Sequence, residues 1–131
     1  MGLQEDINFG KSKEKELLQT IQDKFGEDLK PSGDTFAPFD FVSDTTEVEL
    51  KSRTCKKDTY RDTMIGVNKI YHARKNSNKE FYFCFNFTDG LYYFKHSNTY
   101  KYNCRFSAPS KREATPRKTY AYIPITELIK V

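Results

Sequence analysis

Three charged residues sit where a sheet would normally carry only its wet side. In "FAPFDFVSDTTEVELKSR", residues 36 to 53, Asp40, Glu49 and Lys51 lie within an alternating, strand-forming stretch. Side chains alternate across a strand, so Glu49 and Lys51 share a face. A turn centred on Asp44-Thr45 pairs 43 with 46, 42 with 47 and 41 with 48. Asp40 then falls opposite Glu49, with Cβ atoms roughly 5 Å apart. The other face carries Phe39, Phe41, Val48 and Leu50, all expected against the core. Facing carboxylates destabilise a hairpin by roughly several tenths of a kcal/mol. Lys51 offsets part of that, and a divalent cation would offset more. Mg²⁺ prefers hard oxygen ligands and is commonly held by one or two carboxylates plus a phosphate. There it would orient a scissile phosphate and acidify a bound water, with Lys51 holding that water or the developing charge. An exposed, salt-bridged sheet face would use the same residue types.

A fourth carboxylate comes from the preceding segment. Residues 11 to 25, "KSKEKELLQTIQDKF", read as an amphipathic helix with Ser12 as N-cap and Gly26 as stop. With Glu14 set at zero on a wheel of about 100° per residue, Leu17, Leu18, Ile21 and Phe25 fall within about 60° of it, and Glu16 at about 200°. Glu14 therefore occupies the core-facing stripe, where a carboxylate needs a partner. A frayed first turn reaching water is the alternative.

The other elements follow from pattern. "KPSGDT" at 30 to 35 is a loop, and 62 to 74, "DTMIGVNKIYHAR", reads as a second helix that Asp62 would cap. Residues 80 to 94, "EFYFCFNFTDGLYYF", read as two aromatic strands around Asp89-Gly90, with "FYFCFNF" buried. Residues 99 to 106 and 119 to 125 read as strands, 107 to 118 as a basic loop, and "TELIKV" as the start of a terminal helix. No repeat or linker divides the 131 residues, which suit a single α/β domain, a sheet with helices against it.

Net charge is +4 but unevenly spread. Residues 1 to 50 hold five Lys against twelve Asp or Glu, a balance of −7. Residues 51 to 75 and 95 to 118 each balance to +6. Carboxylates gather cations and cations gather phosphates, so the two basic stretches are expected to grip nucleic acid. Cys55, Cys84 and Cys104 form no CxxC pair, and His72 and His96 stand alone, which argues against a zinc site or a disulfide framework. The first twenty residues carry no apolar run. An intracellular protein, in cytoplasm or nucleus and away from membranes, is expected.

"PFD" at 38 to 40 followed by "EVELK" at 47 to 51 resembles the PD-(D/E)xK nuclease superfamily. The proline lies two residues before Asp40 instead of adjacent to it. The stretch 49 to 70 also resembles small viral and phage-type nucleases of that superfamily. The resemblance covers roughly residues 11 to 75. It implies a restriction-endonuclease-like mixed β-sheet flanked by helices, with an αβββαβ core, and a Mg²⁺-dependent endonuclease in which Mn²⁺ substitutes. Asp40, Glu49, the Leu50 carbonyl and Glu14 (Glu16 in reserve) would be the metal ligands. Lys51 would assist hydrolysis and Lys69 would face the site from the later helix. Arg53, Lys56, Lys57 and Arg61 would join Lys69 on the phosphate backbone. DNA is favoured over RNA, with structure-directed cutting of branched DNA by a homodimer, as in junction resolvases of the superfamily. An RNA endonuclease of the same fold and a non-catalytic nucleic-acid-binding protein are the alternatives.

Overall fold

The computed structural model describes residues 3–33, 37–107 and 118–131. Helix α1, Leu3–Phe25, lays Ile21 against the sheet beside Leu17, Leu18 and Phe25. It begins nine residues before Ser12, which is therefore an interior residue and not a cap. In the added turns Gln4 donates to Asn8 at 3.1 Å; Leu3 and Ile7 fall in line with the stripe by spacing, but Gly10, Lys11 and Glu14 interrupt it and Ile7 is left exposed. The helix stops as expected at Gly26, whose φ of 152° suits glycine and whose N–H donates to the Gln22 carbonyl at 3.0 Å.

Strands β1 (Lys30–Pro31), β2 (Phe41–Val42) and β3 (Thr46–Ser52) form an antiparallel run. Phe41 pairs with Val48 and Val42 with Glu47, the expected register around Asp44-Thr45. The 30–35 segment is thus not all loop. Beyond Phe41 the chain bends and the ladder ends. Phe39 consequently does not share a face with Phe41. It stacks on Phe83 at 5.7 Å on the opposite side of the sheet, while Phe41, Val48 and Leu50 pack with Ile21 of α1.

A crossover follows. Strand β4 (Asp62–Gly66) and helix α2 (Val67–Lys75) replace the single helix expected over 62 to 74. Thr63 and Ile65 are buried while Met64 is exposed, a period of two that belongs to a strand. Gly66 occupies the N-cap position, and Asp62 pairs with Arg105 at 3.2 Å instead of capping a helix. The chain then enters β5 (Glu80–Phe87), parallel to β3 with Glu49 beside Phe83. Strand β5 turns through Thr88 and Asp89 into β6 (Gly90–Lys95). Phe81, Phe83, Phe85 and Phe87 of β5 fill the layer beneath α2, and Cys84 points to the α1 side, so this strand is buried on both faces.

Strands β7 (Asn103–Ser107) and β8 (Lys118–Pro124) pair with β4 in a second, three-stranded sheet ordered β4-β8-β7. Most of the expected basic loop lies outside the described residues. The end of the chain is one 3₁₀ turn, Ile125–Glu127, and then β9 (Ile129–Lys130), not a helix. Leu128 is drawn into the core between them. The first sheet runs β1-β2-β3-β5-β6-β9, with α1 on one face and α2 with the small sheet on the other. The fold is mixed α/β. Among the described residues no helix is long and apolar enough to cross a membrane.

A candidate metal and phosphate site at the end of the β2–β3 ladder

Where β2 stops, β3 loses its antiparallel neighbour, and Leu50 needs another acceptor for its N–H. The Asp40 carboxylate supplies it, accepting that bond through Oδ2 at 2.8 Å. In a strand the N–H and C=O of one residue point to the same side, so the Leu50 carbonyl faces this open edge too. Glu14 reaches Asp40 from α1 on one side of the sheet. Glu49 approaches from the other side, with Lys51 and Lys69 at 3.3 and 3.4 Å from its Oε2. Lys69 also donates to the Pro38 carbonyl, tying α2 to the bend that carries Asp40. Glu14, Asp40, Glu49, Lys51 and Lys69 are thus brought together. Glu16 instead pairs with Lys13 on the outer face of α1.

The electrostatics are set by burial. Glu49 is only 2 % exposed. Loss of water, followed by the nearby Asp40 charge, raises its pKa from 4.5 to about 8. The two lysines pull it down without cancelling that rise. Glu14 is pushed to about 7 by burial first, then by its hydrogen bond with Asp40 and by the Asp40 charge. Glu49 Oε1 is buried without a hydrogen-bond donor. Asp40 lies close to it: while Glu49 keeps its proton the two can share it, and once both ionise they meet acceptor to acceptor. A buried polar atom without a donor is costly and uncommon in native proteins. A hard cation between the carboxylates would complete the set of oxygens, and the residues present fit one. As they stand, no three His, Cys, Asp or Glu side chains among the described residues close into a metal-holding group. Glu49 leans instead on the two ammonium groups.

The basic residues divide. Lys51, Arg53, Lys69 and Lys118 line a cleft of about 340 Å³ beside the carboxylates, with Tyr120 in its wall. Arg53 is anchored there, donating through Nη2 to the Met64 carbonyl at 2.7 Å. Lys56 and Lys57 border a neighbouring cavity, and the Lys57 ammonium lies 4.8 Å from the Tyr92 ring centre. Arg61 lines neither. It is exposed at the end of β4, where its carbonyl accepts from the Ile125 N–H.

A second ionic cluster escaped the sequence reading, which assigned nothing to His72. Glu47, 6 % exposed, accepts from His72 Nε2 at 2.9 Å and from Lys79 Nζ at 3.0 Å. The signal lay in the spacing: Glu47 and Glu49 are two apart on β3, and Lys69 and His72 are three apart on α2. This cluster fastens α2 and the start of β5 to β3. Glu47→Ala is expected to destabilise the fold by about 2–3 kcal/mol, because its partners lose their acceptor. Urea unfolding checks this, and a loss below about 0.5 kcal/mol would make the cluster ornamental.

Comparison with protein-family models, curated proteins and solved structures finds no match.

Proposed function

We propose that this protein is a Mg²⁺-dependent endonuclease of the PD-(D/E)xK kind, hydrolysing phosphodiester bonds in DNA and directed by branched or unpaired structure. The observation that carries the reading is that the Asp40 carboxylate lies between Glu14 and the buried Glu49, beside Lys51 and a cationic cleft. The chain order also supports it. A helix, three strands, a second helix and a strand follow in the αβββαβ sequence, with β4 inserted before α2.

Asp40, Glu49, Glu14 and the Leu50 carbonyl would hold the cation. A bound Mg²⁺ supplies Lewis-acid polarisation of the phosphate. Lys51, at the rim of the cleft, places an ammonium where charge accumulates on the phosphoryl oxygens and where an attacking water would be held. Lys69 faces Glu49 and favours its ionised form, and it fixes the Pro38 bend, which positions Asp40. Arg53 and Lys118 would take the phosphates flanking the scissile one.

Incubation with supercoiled, linear, single-stranded and four-way-junction DNA, and with RNA, in Mg²⁺ or EDTA tests this. The expected result is cutting of DNA in Mg²⁺ alone, fastest on the junction or single strand. Cutting confined to RNA would replace the substrate, and intact substrates throughout, in Mg²⁺ or Mn²⁺, would overturn the reading.

A further inference from the structure

A cavity of about 320 Å³ adjoins the cleft, and Arg53 and Met64 belong to the walls of both. Its character is different. Tyr60, Met64, Phe87 and Tyr122 give it an apolar, largely aromatic interior, while Lys56 and Lys57 stand at its border with Arg53. Tyr60 is 68 % exposed and Met64 37 %, so two large apolar side chains are left to water. Tyr122 is covered on one face of its ring. The Arg105 guanidinium lies 3.7 Å from its ring centre, and Arg105 is itself fixed by Asp62 at 3.2 Å. Tyr60 follows the 3₁₀ turn Lys57–Thr59 and carries no such cover.

We infer that this cavity receives one unpaired nucleobase of the bound strand, next to the phosphates held in the cleft. The inference rests on the nucleic-acid reading above and names the part of the substrate that the site selects. The volume lies at the small end of ligand pockets, enough for one planar ring system and too little for a folded partner segment. Aromatic walls accept any base by its face. The cations at the border match the phosphates on either side of that base. The shared Arg53 wall makes base pocket and phosphate cleft one continuous surface. A base inside a duplex cannot enter, so the pocket favours single strands and branch points over continuous duplex.

The test is binding in EDTA, where no cutting occurs, of the full chain to a single-stranded oligonucleotide carrying 2-aminopurine and to a duplex of the same length. Tyr60→Ala is expected to weaken single-strand binding roughly five- to hundredfold, the range of one lost stacking contact. Duplex binding and the salt dependence of both should stay as in the wild type, since no phosphate contact is lost. Met64→Trp, which fills the cavity from an exposed strand position, should act in the same direction and guards against a folding defect in the first variant. An abasic site in the strand should abolish the difference between Tyr60→Ala and wild type. Equal weakening of single strand and duplex, or no weakening by either variant, would overturn the inference. Because no metal is present, failure of Mg²⁺-dependent cutting bears on the nuclease reading alone.

Discussion

Lys51→Ala and Asp40→Asn should each reduce Mg²⁺-dependent cutting by roughly 10²–10⁴-fold while leaving the melting temperature within a few degrees of wild type. The separation between chemistry and folding is the informative part. The Lys51 side chain is partly exposed, and Lys69 still faces Glu49 when it is removed, so folding should change little. Asn at position 40 keeps the shape of Asp and an oxygen for the Leu50 N–H, yet removes the charge that would bind the cation. Lys69→Ala is the useful contrast. Lys69 touches both Glu49 and the Pro38 carbonyl, so its loss should cost stability as well as rate. Cutting by Lys51→Ala or Asp40→Asn within tenfold of wild type would remove these residues from the reaction.

In metal-free buffer the melting temperature should fall as pH rises from about 5 to about 9, and Mg²⁺ should restore it. Glu49, raised to about 8, and Glu14, raised to about 7, hold protons more tightly in the folded chain than in the unfolded one, where both titrate near 4.5. Their contribution to stability is therefore fully present below pH 4.5 and is lost as pH climbs through 7 and 8. A cation binds the ionised carboxylates, so the rise in melting temperature on adding Mg²⁺ should be larger at pH 8 than at pH 6. Glu49→Gln is isosteric with the protonated side chain. It should flatten the metal-free slope, blunt the Mg²⁺ response and abolish cutting together. A metal-free melting temperature that stays level or increases between pH 6 and 9 would contradict the buried-carboxylate description, and so would a Mg²⁺ effect equal at both pH values.

Much of the candidate site was legible because it rests on local periodicity. The β2–β3 register followed from alternation around Asp44-Thr45, and Glu14 followed from the wheel of α1. Lys69 followed from the family resemblance and lies against Glu49. What escaped depends on contacts distant in sequence or on polar segments without pattern. Phe39 changed faces because the chain leaves the strand at Asp40, and a bend has no period to read. Residues 62 to 66 became a strand because β8, some sixty residues later, offers a partner. The Glu47–His72 pair required knowing that α2 crosses over β3. In the first turns of α1, Gly10, Lys11 and Glu14 break the apolar stripe between Ile7 and Leu17, so the pattern that marks the second half gave no warning of where the helix begins.

On the proposed nuclease reading, the parallel pairing of β3 with β5 bears on when the site is assembled during synthesis. Strand β3 gains that neighbour only after the chain has passed through β4 and α2, and Lys69 comes from that excursion. A polypeptide still emerging from the ribosome, with residues beyond about 80 inside the exit tunnel, has Asp40, Glu49, Lys51 and Lys69 but not the strand that holds β3 in place. Nascent chains stalled at that length should leave nucleic acid intact, and competence should appear abruptly once β5 and β6 are free to pair.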